Sequence, residues 1–313
     1  MESGAVHKST HKWLITGANG NLGRRLILDL LSDGEDAMVA VVRSERAAAR
    51  IEQDLAGNSP AARARVQVKV LNYTDVSALA AAAEDCDRAV HLVGVIKGDY
   101  RKAHEDSCQA LIAALADSQV RHICYLSIVG SRPDAANACL ASKGQAEQIL
   151  REGPVPTCIL RVPMVLGEGD YASAALAARA QGGTGFAFRA DSLEQPIYAG
   201  DVVLAIRQAG QLALSGSFDL GGPESLPRRA LFARAAARLG RSGRTISLPL
   251  GLGLLFAGLM EQFSGNPPVT RAMLGVLDHD DQIDSTAALA ALQMSALTPL
   301  DEMLDNILQA GSA

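Results

Sequence analysis

Eight residues near the amino terminus constrain this chain more than any others: Thr16-Gly17-Ala18-Asn19-Gly20-Asn21-Leu22-Gly23, a G-x-x-G-x-x-G spacing. The apolar run Trp13-Leu14-Ile15 precedes them, and the amphipathic stretch Arg24-Arg25-Leu26-Ile27-Leu28-Asp29-Leu30-Leu31 follows. Strand, glycine turn and helix in that order can hold a dinucleotide pyrophosphate. Glycines let the backbone turn sharply and come close to the phosphates, while the first N–H groups and the dipole of the helix favour negative charge. A glycine triplet alone would serve an ordinary turn equally well. The strand before it and the helix after it supply the context that the nucleotide reading requires. Gly17, Asn19, Gly20, Asn21, Leu22 and Gly23 are therefore the expected phosphate-binding residues.

Beyond the turn, apolar runs alternate with helical patterns. Strands are expected over 37–42, 66–70, 89–93, 122–126 and 157–161, with helices over 44–55, 76–83, 102–116 and 137–151. Strands alternating with helices imply an α/β fold, a doubly wound parallel sheet of the Rossmann type. Ligands gather at the carboxyl ends of the strands in such a sheet. Gly17, Arg43, Asn72, Gly94, Ser127 and Pro163 all fall at or just past those ends. With 313 residues, 48% of them hydrophobic, the chain can bury one large α/β domain with an appendage, or two domains. Residues 11–165, completed by 196–221, read as the dinucleotide-binding core. Residues 166–195 and 222–313 read as a smaller, mostly helical substrate or lid region over the nucleotide site.

The second strand ends in Val42-Arg43-Ser44. An acidic residue there would bind the adenine ribose hydroxyls and select NAD, whereas an arginine accommodates a 2′-phosphate. Arg43 and Ser44 thus predict NADP(H), with NAD(H) as the alternative and Arg24 as a second cation for the phosphate.

A net charge of −5 argues against a nucleic-acid partner. The cysteines at 86, 108, 124, 139 and 158 form no C-x-x-C pair, which points to reduced thiols and no metal site. Met1 to Lys12 is polar without an apolar signal region, and no apolar run reaches the length of a bilayer span, so a cytoplasmic protein is expected. Leu248 to Met260 is unusually apolar, with Leu252, Leu254, Leu255, Phe256, Leu259 and Met260. Core packing is its plainest account; the alternative is a peripheral membrane or protein-partner contact through 248–263. As a lid, it would suit an apolar or isoprenoid-like small-molecule substrate.

Taken together, these motifs resemble the short-chain dehydrogenase/reductase superfamily in its extended and atypical branches. Leu126-Ser127 and Lys143 match that superfamily's Ser and Y-x-x-x-K positions, and Arg161-Val162-Pro163 with Leu166-Gly167 resembles the segment that closes over the nicotinamide. His91-Leu92-Val93-Gly94-Val95-Ile96, Pro196-Ile197-Tyr198-Ala199-Gly200-Asp201-Val202, Phe218-Asp219-Leu220-Gly221-Gly222-Pro223-Glu224 and Leu248-Pro249-Leu250 carry a finer likeness. They are similar to the branch related to the nucleotide-binding accessory subunit of respiratory complex I and, more distantly, to NmrA-like proteins. The resemblance spans Lys12 to Leu277. It implies that Val93, Gly94, Lys143 and Pro163 hold the nicotinamide half of the cofactor.

One departure matters. Where the resemblance implies a proton-transferring tyrosine, this chain has Cys139, four residues before Lys143. A thiol is too short to reach the same substrate oxygen. Three readings follow. The chain is a reductase using another acid/base, with Lys143 leading, His104 as a proton relay and Ser127 beside them. Alternatively, it binds NADP(H) without turnover, as a sensor or accessory subunit. In the third reading, Cys139 is itself reactive, activated by Lys143. Cys139 as a packed small residue and Ser127 as a turn cap are the plainer alternatives. Tyr100, Tyr171 and Tyr198 are candidates for a displaced phenol.

Overall fold

The computed structural model describes residues 10–263, 270–275 and 279–310. Most of the polar start read above, residues 1–9, and Leu277 at the end of the resemblance lie outside the described residues. The first half runs β1 (Lys12–Thr16), α1 (Asn21–Asp33), β2 (Ala37–Val42), α2 (Glu45–Leu55), α3 (Pro60–Arg63), β3 (Val66–Val70), α4 (Val76–Ala83) and β4 (Arg88–His91). A π-helical turn (Arg101–Asp106) then leads into α5 (Ser107–Leu115), β5 (Ile123–Ile128), α6 (Ala138–Glu152) and β6 (Thr157–Val162). The second half begins with β7 (Val165–Leu166), α7 (Tyr171–Ala180), β8 (Gly183–Phe188), β9 (Leu193–Glu194), β10 (Ile197–Tyr198), α8 (Ala199–Gln211) and β11 (Gly216–Asp219). It closes with β12 (Leu226–Pro227), α9 (Arg228–Arg238), β13 (Gly243–Leu248), α10 (Leu250–Phe263), α11 (Arg271–Gly275), α12 (Thr286–Ala291) and α13 (Leu300–Ala310).

Seven strands form one parallel sheet in the order β11-β6-β5-β4-β1-β2-β3. The order reverses between β1 and β4, and such a reversal opens a crevice at the carboxyl ends of the two strands. Period-two alternation along β1 sends Trp13 and Ile15 into one core with Leu26, Ile27 and Leu30 of α1 and Val202 and Ile206 of α8. Leu14 enters the opposite core with Leu111, Leu115, Tyr125 and Leu150. Each fully buried side chain of this size contributes roughly 1.5–3 kcal/mol. A third cluster, with Leu166, Leu176, Leu231, Met303 and Leu304, ties α7, α9 and α13 together. Side chains cap the helices that follow the strands: Ser44 accepts from the Ala47 N–H, Asp75 from Ala78, Asn137 from Cys139 and Leu140, and Asp170 from Ser173.

Three features differ from the sequence expectation. The helix expected from residue 102 opens as a π turn, whose wider winding carries His104 inward. The region after 222 is less uniformly helical than expected, because β13 pairs in parallel with β8. The core-packing account of 248–260 is corrected. In α10 only Gly253 and Ala257 are buried among the described residues, while Leu252, Leu255, Phe256, Leu259, Met260 and Phe263 are exposed.

Candidate active site

Gly17 turns the chain out of β1 with φ +75°, and a Cβ there would stand 2.8 Å from the Leu92 carbonyl carbon. Both the conformation and the space demand glycine. At Gly23 a Cβ would fall 2.7 Å from the Ala18 carbonyl oxygen, so α1 can seat itself against the turn. Gly20 precedes α1 without any side-chain cap, leaving the first N–H groups of the helix to a ligand. A cleft of 170 Å³ follows, lined by Gly17, Asn19, Gly20, Arg43, Tyr73, Leu92, Val93, Gly94, Val95 and Ala103.

Other expected residues sit elsewhere. Asn21 turns its side chain to the Glu168 carbonyl at 2.9 Å and to Arg25 at 2.8 Å. Leu22 packs on the first core. Asn72 is exposed, accepting from the Thr74 N–H in a turn. Its neighbour Tyr73 lines the cleft instead: the Tyr73 hydroxyl accepts from the Gly17 N–H at 3.2 Å, and its ring lies 5.7 Å from the Arg43 guanidinium carbon. Sequence reasoning missed Tyr73, although it too lies just past the end of β3.

Toward α2 the cleft continues into a groove lined by Asn19, Ser44, Arg46, Arg50 and Gln53. Arg24 is not the second cation expected there. Its guanidinium forks onto Asp54 of α2, which raises its pKa, and so braces α1 against α2. Arg46, one helical turn from Arg50, occupies the place by the groove instead.

At the other end, Lys143 reaches up from α6 beneath Gly94. Its Nζ donates to the Leu126 carbonyl at 2.9 Å and sits 4.5 Å from the centre of the Tyr125 ring. Burial pulls the Lys143 pKa down to about 8, against the support of Cys108, Cys139 and Glu147. His104 is fully buried, and burial, then Lys143, pushes its pKa down to about 3. The neutral ring accepts the Val95 N–H on Nε2 at 3.1 Å, so Nδ1 carries the proton and donates to Ser142 Oγ at 2.7 Å. Ser142 in turn donates to the Cys139 carbonyl at 3.1 Å. With both ring nitrogens engaged, His104 holds the Gly94–Val95 loop onto α6.

A second cavity, of 410 Å³, opens past Ile96 and is lined by Ile128, Pro163, Met164, Tyr171, Met273 and Leu274, with Glu194, His279 and Asp281 on one wall. Pro163 is thus placed here and not in the dinucleotide cleft. So is Tyr171, which is 77% exposed. Tyr100 donates to the Ile96 carbonyl at 2.8 Å, and Tyr198 to Glu168 at 2.6 Å.

The NAD(P)H-binding family model matches residues 17–191, the turn, the cleft and the β5–β6 edge together. The chain belongs to that family. A ceramide reductase from Caulobacter vibrioides is 28% identical over 160 residues, 50% of this chain. The match takes in 47% of that protein, so the chain spans about half the length of the curated relative it matches. Solved structures share the fold at low sequence identity. The Bordetella bronchiseptica enzyme WbmG, solved with NAD, superposes with a TM-score of 0.73 at 16% identity, covering 98% of this chain and 95% of that one. A UDP-N-acetylglucosamine 4-epimerase from Bacillus cereus gives 0.70 at 17% identity, covering 96% of each chain.

The residues present suit the dinucleotide of an NAD(P)H-binding protein: a glycine-walled cradle, an uncapped helix start, and a buried lysine beneath Gly94 at the far end of the cleft. What lies beyond is unusual for acid/base chemistry. Ser127 Oγ donates to Glu147 Oε1 at 2.6 Å, and that buried carboxylate also takes Arg161 and Arg151, each at 2.6 Å. Ser127 is therefore part of an ion cluster inside the α6 face, and its neighbour Ile128 meets the cavity. Cys139 is fully buried with its sulfur 3.7 Å from the Val95 carbonyl oxygen, and burial raises its thiol pKa despite Lys143. An enclosed, protonated thiol is a packing residue rather than a nucleophile.

Proposed function

We propose that the chain is an NADP(H)-dependent oxidoreductase that reduces a carbonyl group on a long, apolar, lipid-like molecule. The cavity of 410 Å³ carries this reading. It starts at Ile128 and Pro163, where β5 and β6 end, and these two with Ile96, Met164, Met273 and Leu274 form most of its wall. An alkyl chain placed there gains roughly 25 cal/mol for each Å² removed from water. A sugar would leave hydroxyls without partners on the same wall. The partial match to a ceramide reductase supports a lipid substrate, and Arg43, Ser44 and Arg46 support a 2′-phosphate on the cofactor. Helix α10 packs against α11, which contributes Met273 and Leu274 to the cavity wall, and its exposed apolar face supports delivery from a lipid surface.

When bound, the reduced dinucleotide supplies a hydride. Lys143, whose pKa burial lowers to about 8 and which is still mostly an ammonium near neutral pH, would hold the nicotinamide ribose hydroxyls. His104 fixes the Gly94–Val95 loop, and Ile128, Pro163 and Met164 keep water away from the reacting carbon.

A second reading, a non-catalytic NADP(H)-binding sensor or accessory subunit, draws on Cys139 and Ile128, which place no hydroxyl beside Lys143. NADPH oxidation over a panel of methyl ketones of increasing chain length tests the two. Turnover whose kcat/KM climbs with chain length is expected. Tight NADPH binding with no turnover across the panel overturns the reductase reading in favour of the sensor.

A further inference from the structure

The apolar cavity has one polar wall. Glu194 there is occupied by Arg228, whose Nε donates to it at 2.7 Å. His279 stands apart from that pair. Its Nε2 lies 3.0 Å from Asp281 Oδ1, a buried oxygen with no well-aligned hydrogen-bond partner, and its Nδ1 has no partner among the described residues. Asp281 is itself pinned through its backbone: its N–H donates to the Leu193 carbonyl at 3.0 Å, and its carbonyl accepts from Ser225 Oγ at 2.5 Å. A carboxylate on a pinned stretch of backbone, 3.0 Å from one imidazole nitrogen and with the other nitrogen available, can orient an acid/base.

We propose that His279, oriented by Asp281, is the proton donor of this site, in place of the tyrosine that Cys139 replaces. The inference rests on the reductase reading above. His279 gives one proton to the carbonyl oxygen as the carbonyl carbon accepts the hydride and its electron pair from the reduced dinucleotide. The C=O becomes CH–OH, the dinucleotide is oxidised, and the imidazole is left neutral until solvent reprotonates it. Lys143 is the less suitable donor, because its ammonium is held by the Leu126 carbonyl and it does not line this cavity.

The charges that face His279 agree with the role. The bond to Asp281 raises the imidazole pKa, burial lowers it, Asp281 and Glu194 raise it further, and Arg189 lowers it, for a net rise. Arg189 in turn lies 3.4 Å from Asp280. The donor form therefore persists to higher pH than in a free histidine.

His279→Gln and Asp281→Asn in the full chain, with NADPH and methyl nonyl ketone as the probe, test this. NADPH affinity by calorimetry should stay within about twofold of wild type, while NADPH oxidation should fall by about a hundredfold or more in His279→Gln. The alkaline limb of the kcat/KM profile should vanish in His279→Gln and move to lower pH in Asp281→Asn. Independently of turnover, proton NMR of the cofactor-free chain should show the His279 ring titrating above the ordinary histidine range, and lower in Asp281→Asn. Wild-type rate and pH profile in a folded His279→Gln protein would overturn the assignment while leaving the reductase reading intact. Absence of wild-type turnover across the ketone panel would remove both, and a ring that titrates at or below the ordinary range would remove the His279 assignment alone.

Discussion

Gly94 lies flush against Lys143: a Cβ on the glycine would stand 3.3 Å from the ammonium nitrogen, and 3.6 Å from His104 Nε2. Gly94 lines the cleft directly over the lysine, so a side chain at 94 would intrude between the two. Gly94→Ala should therefore leave the fold intact, since its backbone is not in the left-handed region, yet weaken NADPH binding by about tenfold, or roughly 1.4 kcal/mol. Calorimetry with a parallel thermal melt separates the two effects. Gly17→Ala is the contrasting case, because φ +75° and the Leu92 backbone penalise any side chain. It should lose stability and binding together.

Lys143 makes stability depend on pH in a definite direction. Its folded-state pKa of about 8 lies below the ordinary 10.5. Between those values the unfolded chain binds more protons than the folded one, so stability should rise with pH across that window and level off beyond it. Lys143→Met should abolish the slope and match or exceed wild-type stability near neutrality, while NADPH affinity drops about tenfold or more with the loss of the proposed ribose contact. Urea midpoints on either side of the window read the first effect and calorimetry the second.

Much of the cleft was legible because local pattern and position coincide there. The continuous apolar run Ala37-Met38-Val39-Ala40-Val41-Val42 must be a strand covered on both faces, and the residue after it must sit at a carboxyl end. What could not be read depended on partners distant in sequence. Arg24 is taken out of the site by Asp54, on the next helix. Ser127 is taken by Glu147, and a one-residue difference along β5 decides that Ile128 meets the cavity instead. Asn72 and Tyr73 differ in the same way at the end of β3. His279 gave no signal at all, because its meaning comes from Asp281 and from a cavity assembled by β5, β6 and α11. Strand β13 was hidden because its partner, β8, lies far off in sequence, in a stretch rich in alanine and glycine that reads as mostly helical.

The adenine end makes a prediction about cofactor choice. Arg43 and Arg46 flank the cleft and groove, whereas Arg24 is engaged by Asp54. Arg43→Asp should cut the preference for NADP over NAD by about tenfold or more, through the loss of a charge-assisted phosphate contact. Arg46→Ala should cut it less. Arg24→Ala should leave the preference unchanged and lower the melting temperature slightly. Dissociation constants for both nucleotides across the three variants give the ratios.

Helix α10 carries the last prediction. Among the described residues no helix is long and apolar enough to cross a membrane. At 14 residues, α10 itself is about 21 Å long at 1.5 Å per residue. Leu252, Leu255, Phe256, Leu259, Met260 and Phe263 recur at helical spacing, so a single face can lie in a lipid interface while Gly253 and Ala257 pack inward. Moving two such side chains from lipid back to water costs roughly 1.5–3 kcal/mol each. A Leu255→Asp, Phe256→Asp double variant should thus lose co-sedimentation with phosphatidylcholine vesicles and keep wild-type NADPH affinity. Turnover on long-chain ketones embedded in vesicles should fall, whereas turnover on a short, water-soluble ketone should not. Vesicle binding equal to wild type would mean that this face meets something other than lipid.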